Sequence, residues 1–307
     1  MKESCGFLRV EYLFMLIVAL FWAIPHPLGR IILKKIHPFQ LASVNLIIGL
    51  GALLIYLVFS RKLGELFRLG PKDTVLSLLL GVFAFFFYQM FTFSALARIP
   101  ASMNAILVST NVILIAVLAV IFLGEKVSFF RAFGIASAAA GVFIITTAKN
   151  PAIGGNIEFL GPVFSILAAL CFAIYAVMGK RVLSRNDPLI VSTLALFSGM
   201  VLITIFTLAT VGGEGLAGAG RTVWGILVPL SVAYIGVAYP LWFFSLKRLP
   251  ASHISVYIYM TPVFAVILSL VILKESLSSN FWIGSFLVLV GIVSSNISSP
   301  RLKNRPS

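Results

Sequence analysis

Charge is what this 307-residue chain lacks most: Asp, Glu, Lys and Arg together make up 10% of it, against roughly a quarter in an ordinary soluble domain. A soluble catalytic domain of ordinary size is excluded, because no polar stretch remains to build one. Carboxylates are scarcer still. All nine acidic residues fall at or near connectors and termini, so no carboxylate sits at the middle of an apolar segment. Two cysteines, Cys5 and Cys171, exclude a disulfide framework or a cysteine metal cluster, and Cys171 reads as a small packing residue. Strict polar/apolar alternation is also missing, which excludes an outer-membrane barrel.

What remains is apolar: 60% of the residues, with a mean hydropathy of +1.10. The apolar residues run in blocks near the 20 or so that a helix needs to cross a hydrocarbon core. The pattern predicts an all-α integral membrane protein with ten transmembrane helices, at 12–34, 39–59, 74–96, 101–123, 128–148, 161–183, 188–210, 223–246, 251–273 and 280–297. The first block follows Lys2 and Arg9 but continues to Lys34 without a small-residue cleavage site, so it reads as a retained helix. The net charge of +14 would suggest nucleic acid in a soluble protein. Here it reads instead as the basic bias of cytoplasmic loops beside a lipid bilayer, with no nucleic acid implied. With both termini inside, 16 of the 23 Lys and Arg fall on the cytoplasmic side, which predicts a multi-pass protein of the cytoplasmic membrane with both termini cytoplasmic.

The chain matches itself at an offset of 150. Ala95–Ser102 (ALARIPAS) aligns with Ser245–Ser252 (SLKRLPAS), and the register continues through Glu125/Glu275, Ser128/Ser278, Gly134/Gly284 and Gly141/Gly291. It also aligns Gly29/Gly179, Arg30/Lys180, Pro38/Pro188 and Gly49/Gly199. Two five-helix repeats follow, 1–150 and 151–307. Five crossings are odd, so the halves are predicted to be inverted in the membrane, the architecture of alternating-access carriers with a site near the midplane.

These residues resemble the drug/metabolite transporter superfamily, of the EamA type. The resemblance covers nearly the whole chain, most specifically Ala95-Leu96 through Gly124-Glu125-Lys126 to Gly134 and Gly141, and Leu246, Pro262, Lys274-Glu275, Gly284 and Gly291. Trp22 followed by Arg30 is similar to the family's first-helix pattern. Three positions depart from it: Ala23 stands where Gly commonly follows the Trp, Asn45 where an Arg is usual, and Asn111 or Val112 where the fourth helix usually carries Pro. The resemblance implies export or exchange of small metabolites such as amino acids, or of drugs, without choosing among them.

Candidate site residues follow from what is costly in lipid. Pro25 and Pro27 deprive the carbonyls of Phe21 and Ala23 of their helical partners, and unpaired backbone at membrane depth belongs in protein or beside a wet cavity. His26 and Arg30, four apart on that broken helix, suggest a substrate-facing surface; the plain alternative is a packing kink with Arg30 reaching for the interface. On the ninth helix His253, Tyr257 and Thr261 share a face, as do Asn104 and Asn111 on the fourth. Asn111 is either interhelical glue or a substrate group. Tyr88 and Gln89, Tyr175, and Tyr239 with Trp242 complete the expected substrate-binding set of His26, Arg30, Tyr88, Gln89, Asn111, Tyr175, Tyr239, Trp242 and Tyr257. Glu125 and Glu275 read as braces at helix ends. The small-residue stripes at Gly134, Ala138 and Gly141 and at Gly284, Gly291 and Ser295 imply close helix approach and a candidate homodimer face on the fifth and tenth helices.

The expected function is secondary transport of a small polar metabolite by alternating access, with multidrug efflux as the alternative. A membrane enzyme would need a constellation such as H-E-x-x-H or G-x-S-x-G, and none is present. No cofactor is implied. Without a mid-membrane carboxylate, quaternary cations are disfavoured and proton coupling would fall to His26 or His253.

Overall fold

A computed structural model describes residues 10–123, 128–147, 158–246 and 251–297. They form ten apolar helices in succession: α1 Val10–Ile32, α2 Pro38–Phe59, α3 Pro71–Arg98, α4 Ala101–Phe122, α5 Phe129–Thr147, α6 Leu160–Arg185, α7 Pro188–Thr210, α8 Gly220–Ser245, α9 Ala251–Leu273 and α10 Ser279–Ile297. Bulky apolar side chains such as Phe59, Phe143, Val271 and Phe286 project outward from them. That surface suits a bilayer and not water. The protein is a ten-helix membrane protein of two five-helix halves.

Helix starts follow local chemistry that the repeat preserves. His37 caps α2 by accepting from the Phe39 N–H at 3.3 Å, while Gln40 Oε1 accepts from the His37 N–H at 3.1 Å. Asp187, 150 residues on, caps α7 by accepting from Leu189 N–H at 3.0 Å. Each cap precedes a proline whose missing N–H would be unpaired there anyway. Burial, and then the nearby Arg98 guanidinium, hold the His37 imidazole below its ordinary value, consistent with its role as an acceptor. Asp187 also pairs with Lys62 Nζ at 2.6 Å, tying the end of α2 to the start of α7. That hydrogen bond is the main cause of the raised Lys62 pKa.

Packing across the halves is reciprocal. α1 lies on α9 as α6 lies on α4, and α3 crosses α7 as α8 crosses α2. Both crossing helices change to π-helix at one repeat position, Val82–Phe87 in α3 and Val232–Val237 in α8. Such widened turns are rare and frequent at functional sites. At the first crossing the backbones touch: a Cβ added to Gly199 would meet the Cβ of Phe85 and lie 2.9 Å from the Gly81 carbonyl oxygen. At the second, a Cβ on Gly49 would lie 2.7 Å from Ile235 Cβ.

The stripes on α5 and α10 face each other within the chain. A Cβ on Gly141 would lie 2.5 Å from the Gly284 carbonyl oxygen, and one on Gly284 would lie 2.7 Å from the Gly141 oxygen. Ser137 Oγ donates to the Leu287 carbonyl at 2.8 Å in the same seam. Among the described residues, Gly134, Ala138 and Gly141 of α5 meet Gly284 and Gly291 of α10 within one chain, so these small residues join its two halves.

Candidate functional site

Helix α1 carries the first part of the site. The helix is interrupted at Ile24, between Val10–Ala23 and Pro25–Ile32, where the residue keeps helical dihedrals (φ −56°, ψ −37°) and its N–H reaches the Leu20 carbonyl at 3.1 Å. Pro25, His26 and Pro27 are all buried. Beside them α3 emerges from its π segment at Tyr88 and Gln89, and α8 supplies Tyr234 from within its own. Between these three helices lies a cavity of about 20 Å³, lined by Trp22, Pro25, His26, Tyr88, Gln89, Thr92, Phe93, Leu96 and Tyr234. That volume admits about one water. No Asp, Glu, Lys or Arg is among the lining residues.

A polar chain crosses the two halves behind this cavity. Ser165 Oγ on α6 donates to Asn104 Oδ1 on α4 at 2.8 Å, and Asn104 Nδ2 reaches His26 Nδ1 on α1 at 3.3 Å. Because the amide oxygen is taken by the serine, the amide nitrogen is the donor and His26 Nδ1 the acceptor. A neutral imidazole then carries its proton on Nε2. His26 thus lines the cavity as a hydrogen-bond donor whose tautomer is set by Asn104 of α4, itself tied to α6 of the other half through Ser165.

The other expected residues separate into groups. Tyr239 and Trp242 form the wall behind Trp22, with ring centroids 5.9 and 5.5 Å from its own. Tyr175 stands one layer out, 5.8 Å from Phe172, which is itself 5.8 Å from Tyr88, and its hydroxyl pairs with Ser192 at 3.3 Å. Tyr257 lies apart: it stacks on Tyr12 at 5.9 Å, ten residues or about 15 Å of helix below Trp22. Asn111 begins a new helical segment after a break at Thr110 and does not line the cavity. The side chain of His253 and the whole of Glu125 lie outside the described residues.

Arg30 has different work. Leu96 would give its carbonyl to residue 100, but Pro100 has no N–H. Arg30 Nη1 donates to that carbonyl instead, bracing α1 against the end of α3, with Glu275 as a nearby compensating charge. Arg30→Ala is expected to cost about 1.5–3 kcal/mol, the range for a hydrogen bond to a charged group, and Arg30→Lys to recover part of it. Thermal unfolding in detergent measures both. Glu275 is a brace as well: its oxygens accept from the N–H groups of Ala101 and Ser102 at 2.7 and 3.2 Å and from Ser102 Oγ at 2.5 Å. A carboxylate at the start of α4 satisfies free donors and opposes the helix dipole.

Trp22, Thr92, Phe93 and Tyr234 line the cavity without belonging to the expected set. Trp22 was visible as a motif residue, and Thr92 follows Tyr88 by four positions on one helix face. Tyr234 gives no such signal, since it aligns with Ala84 in the repeat. Asn45, a departure from the family pattern, is 1% exposed with neither end of its amide partnered.

Comparison with known proteins agrees with this architecture. Residues 9–147 and 159–297 each match the model of the EamA-like transporter family. A Clostridium kluyveri protein described as an uncharacterized transporter is 27% identical over 295 residues, covering 93% of each chain. The uncharacterized transporter YvbV of Bacillus subtilis is 24% identical, over 95% of this chain and 93% of its own. A crystal structure at 20% identity superposes with a TM-score of 0.65, covering 96% of this chain and 99% of the other, which shows the shared fold.

Proposed function

Because the chain belongs to the EamA-like transporter family, and is therefore a membrane transporter and not an enzyme, we propose that it is a secondary carrier exporting or exchanging a small polar metabolite, a class that includes amino acids, across the cytoplasmic membrane. The observation that carries this reading is the small cavity shared by α1 and α3 of one half and α8 of the other. A site held between two inverted repeats opens to alternate sides when the halves rock. At about 20 Å³ the cavity has room for about one water, so admitting a metabolite requires the halves to move apart. His26, Tyr88 and Gln89 are proposed to contact cargo directly, with Trp22, Tyr239 and Trp242 as the aromatic wall. The 16 of 23 basic residues that fall on one side support cytoplasmic termini.

Multidrug efflux of organic cations is the weaker reading, because a buried cation needs a paired charge and none lines the cavity among the described residues. Proteoliposomes screened with amino acids, organic anions, sugars and nucleosides test the proposal. Protein-dependent flux of one class is expected, with His26→Ala lowering it about tenfold, the scale of one lost hydrogen bond. Flux equal to that of empty liposomes for every class would reject it.

A further inference from the structure

One hydrogen-bond donor with nothing to donate to lines the cavity, and a second stands in the ring behind it. The indole Nε1 of Trp22, which lines the cavity, is buried and unpartnered, and so is that of Trp242 5.5 Å away by ring centroids. An indole N–H can only donate, so neither can be satisfied by rotating the ring into an acceptor role. A buried donor left unmade costs about 1–3 kcal/mol, and of these two the Trp22 N–H is the one on a lining residue. His26 adds a third donor: with Nδ1 occupied by Asn104, its proton lies on Nε2. Around these donors the cavity surface is aromatic, from Trp22, Tyr88, Phe93 and Tyr234. Arg30 is not among the lining residues; its Nη1 donates to the Leu96 carbonyl.

Resting on the transport reading above, we propose that the cargo is an uncharged, planar molecule rich in hydrogen-bond acceptors, such as a heteroaromatic ring bearing a carbonyl, and that the Trp22 indole N–H is a specificity-setting contact. Aromatic walls accept a flat ring by offset stacking or edge contact. The donors choose among flat rings by demanding oxygen or ring-nitrogen acceptors, and a site built to donate rejects analogues lacking the acceptor because its own groups are then left unpaired. A zwitterion fits poorly, since both of its ions would lose water with no opposite charge on the cavity lining to receive them.

The full chain in proteoliposomes decides this with four probes: nicotinamide and uracil as neutral heteroaromatics, phenylalanine as a zwitterion of similar size, and benzoate as an anion. Nicotinamide or uracil is expected to move about tenfold faster than phenylalanine or benzoate, and Trp22→Phe, which keeps the ring and loses the N–H, is expected to lower that flux about tenfold. The same probes should quench the intrinsic tryptophan fluorescence of the detergent-solubilised wild type, which tests binding even if the variant does not fold. Flux of phenylalanine or benzoate at an equal or higher rate would overturn the assigned cargo class while leaving transport standing. Unchanged heteroaromatic flux in Trp22→Phe would overturn the role of the indole. Flux of none of these, nor of any class in the broader screen, would overturn the transport reading itself.

Discussion

Valine at position 199 is expected to abolish recovery of a monodisperse carrier, whereas valine at position 51 is not. Gly199 meets α3 backbone to backbone: an added Cβ would strike the Phe85 Cβ and lie 2.9 Å from the Gly81 carbonyl oxygen and 3.1 Å from the Phe86 nitrogen. None of these atoms can swing aside as a flexible side-chain end would. Relief requires α3 and α7 to separate, and these helices join the two halves. Ordinary overpacking costs about 1–3 kcal/mol, and two further methyls against backbone place Gly199→Val at or beyond the top of that range. Gly51 is the matched control, since nothing lies within 4 Å of its added Cβ. Size-exclusion profiles of the two variants in detergent, read side by side, separate a steric effect at the crossing from a general intolerance of glycine replacement in α2 and α7.

That crossing also marks where sequence reading stops. The ten spans were legible because apolar runs are interrupted by prolines, glycines and charges, and the structure moves their ends by only a few residues, as where α3 begins at Pro71 instead of residue 74. The repeat was legible through rare residues, Glu125/Glu275 above all. The π segments were not: VFAFFF and VAYIGV share little composition. Their common position becomes apparent only when each is seen to cross a glycine-bearing helix of the opposite half. Small-residue stripes on α5 and α10 announced close approach without naming the partner, because periodicity describes one helix face at a time. Arg30 and Pro100 were each conspicuous, yet their connection through the Leu96 carbonyl depends on α1 ending beside the end of α3. Tyr257 shares a helix face with Thr261, but helical spacing fixes the face and not the depth, and its depth places it against Tyr12.

Asn104 is where replacement should affect transport most for the least change in shape. The residue is fully buried and occupied at both ends, receiving a hydrogen bond from Ser165 and giving one to His26. Asn104→Leu leaves both partners unsatisfied in a low-dielectric interior, at about 1–3 kcal/mol each, so both thermal stability and flux should fall. Asn104→Asp is the sharper test, because the side chain keeps its size while its donor becomes an acceptor. Ser165 can still donate to the carboxylate. His26 can no longer accept, and must place a proton on Nδ1 to meet it. In the neutral ring this strips the proton from Nε2, and the imidazole turns from donor to acceptor on the side that lines the cavity. An acceptor-bearing cargo then meets a lone pair where it met an N–H, and flux should fall at least as far as in His26→Ala, about tenfold, although no lining residue has been altered. Ser165→Ala should do less, since the Asn104 amide nitrogen still faces His26. If Asn104→Asp carried cargo at the wild-type rate, the tautomer of His26 would have no part in recognition, and the polar chain from α6 to α1 would be a structural tie between the halves.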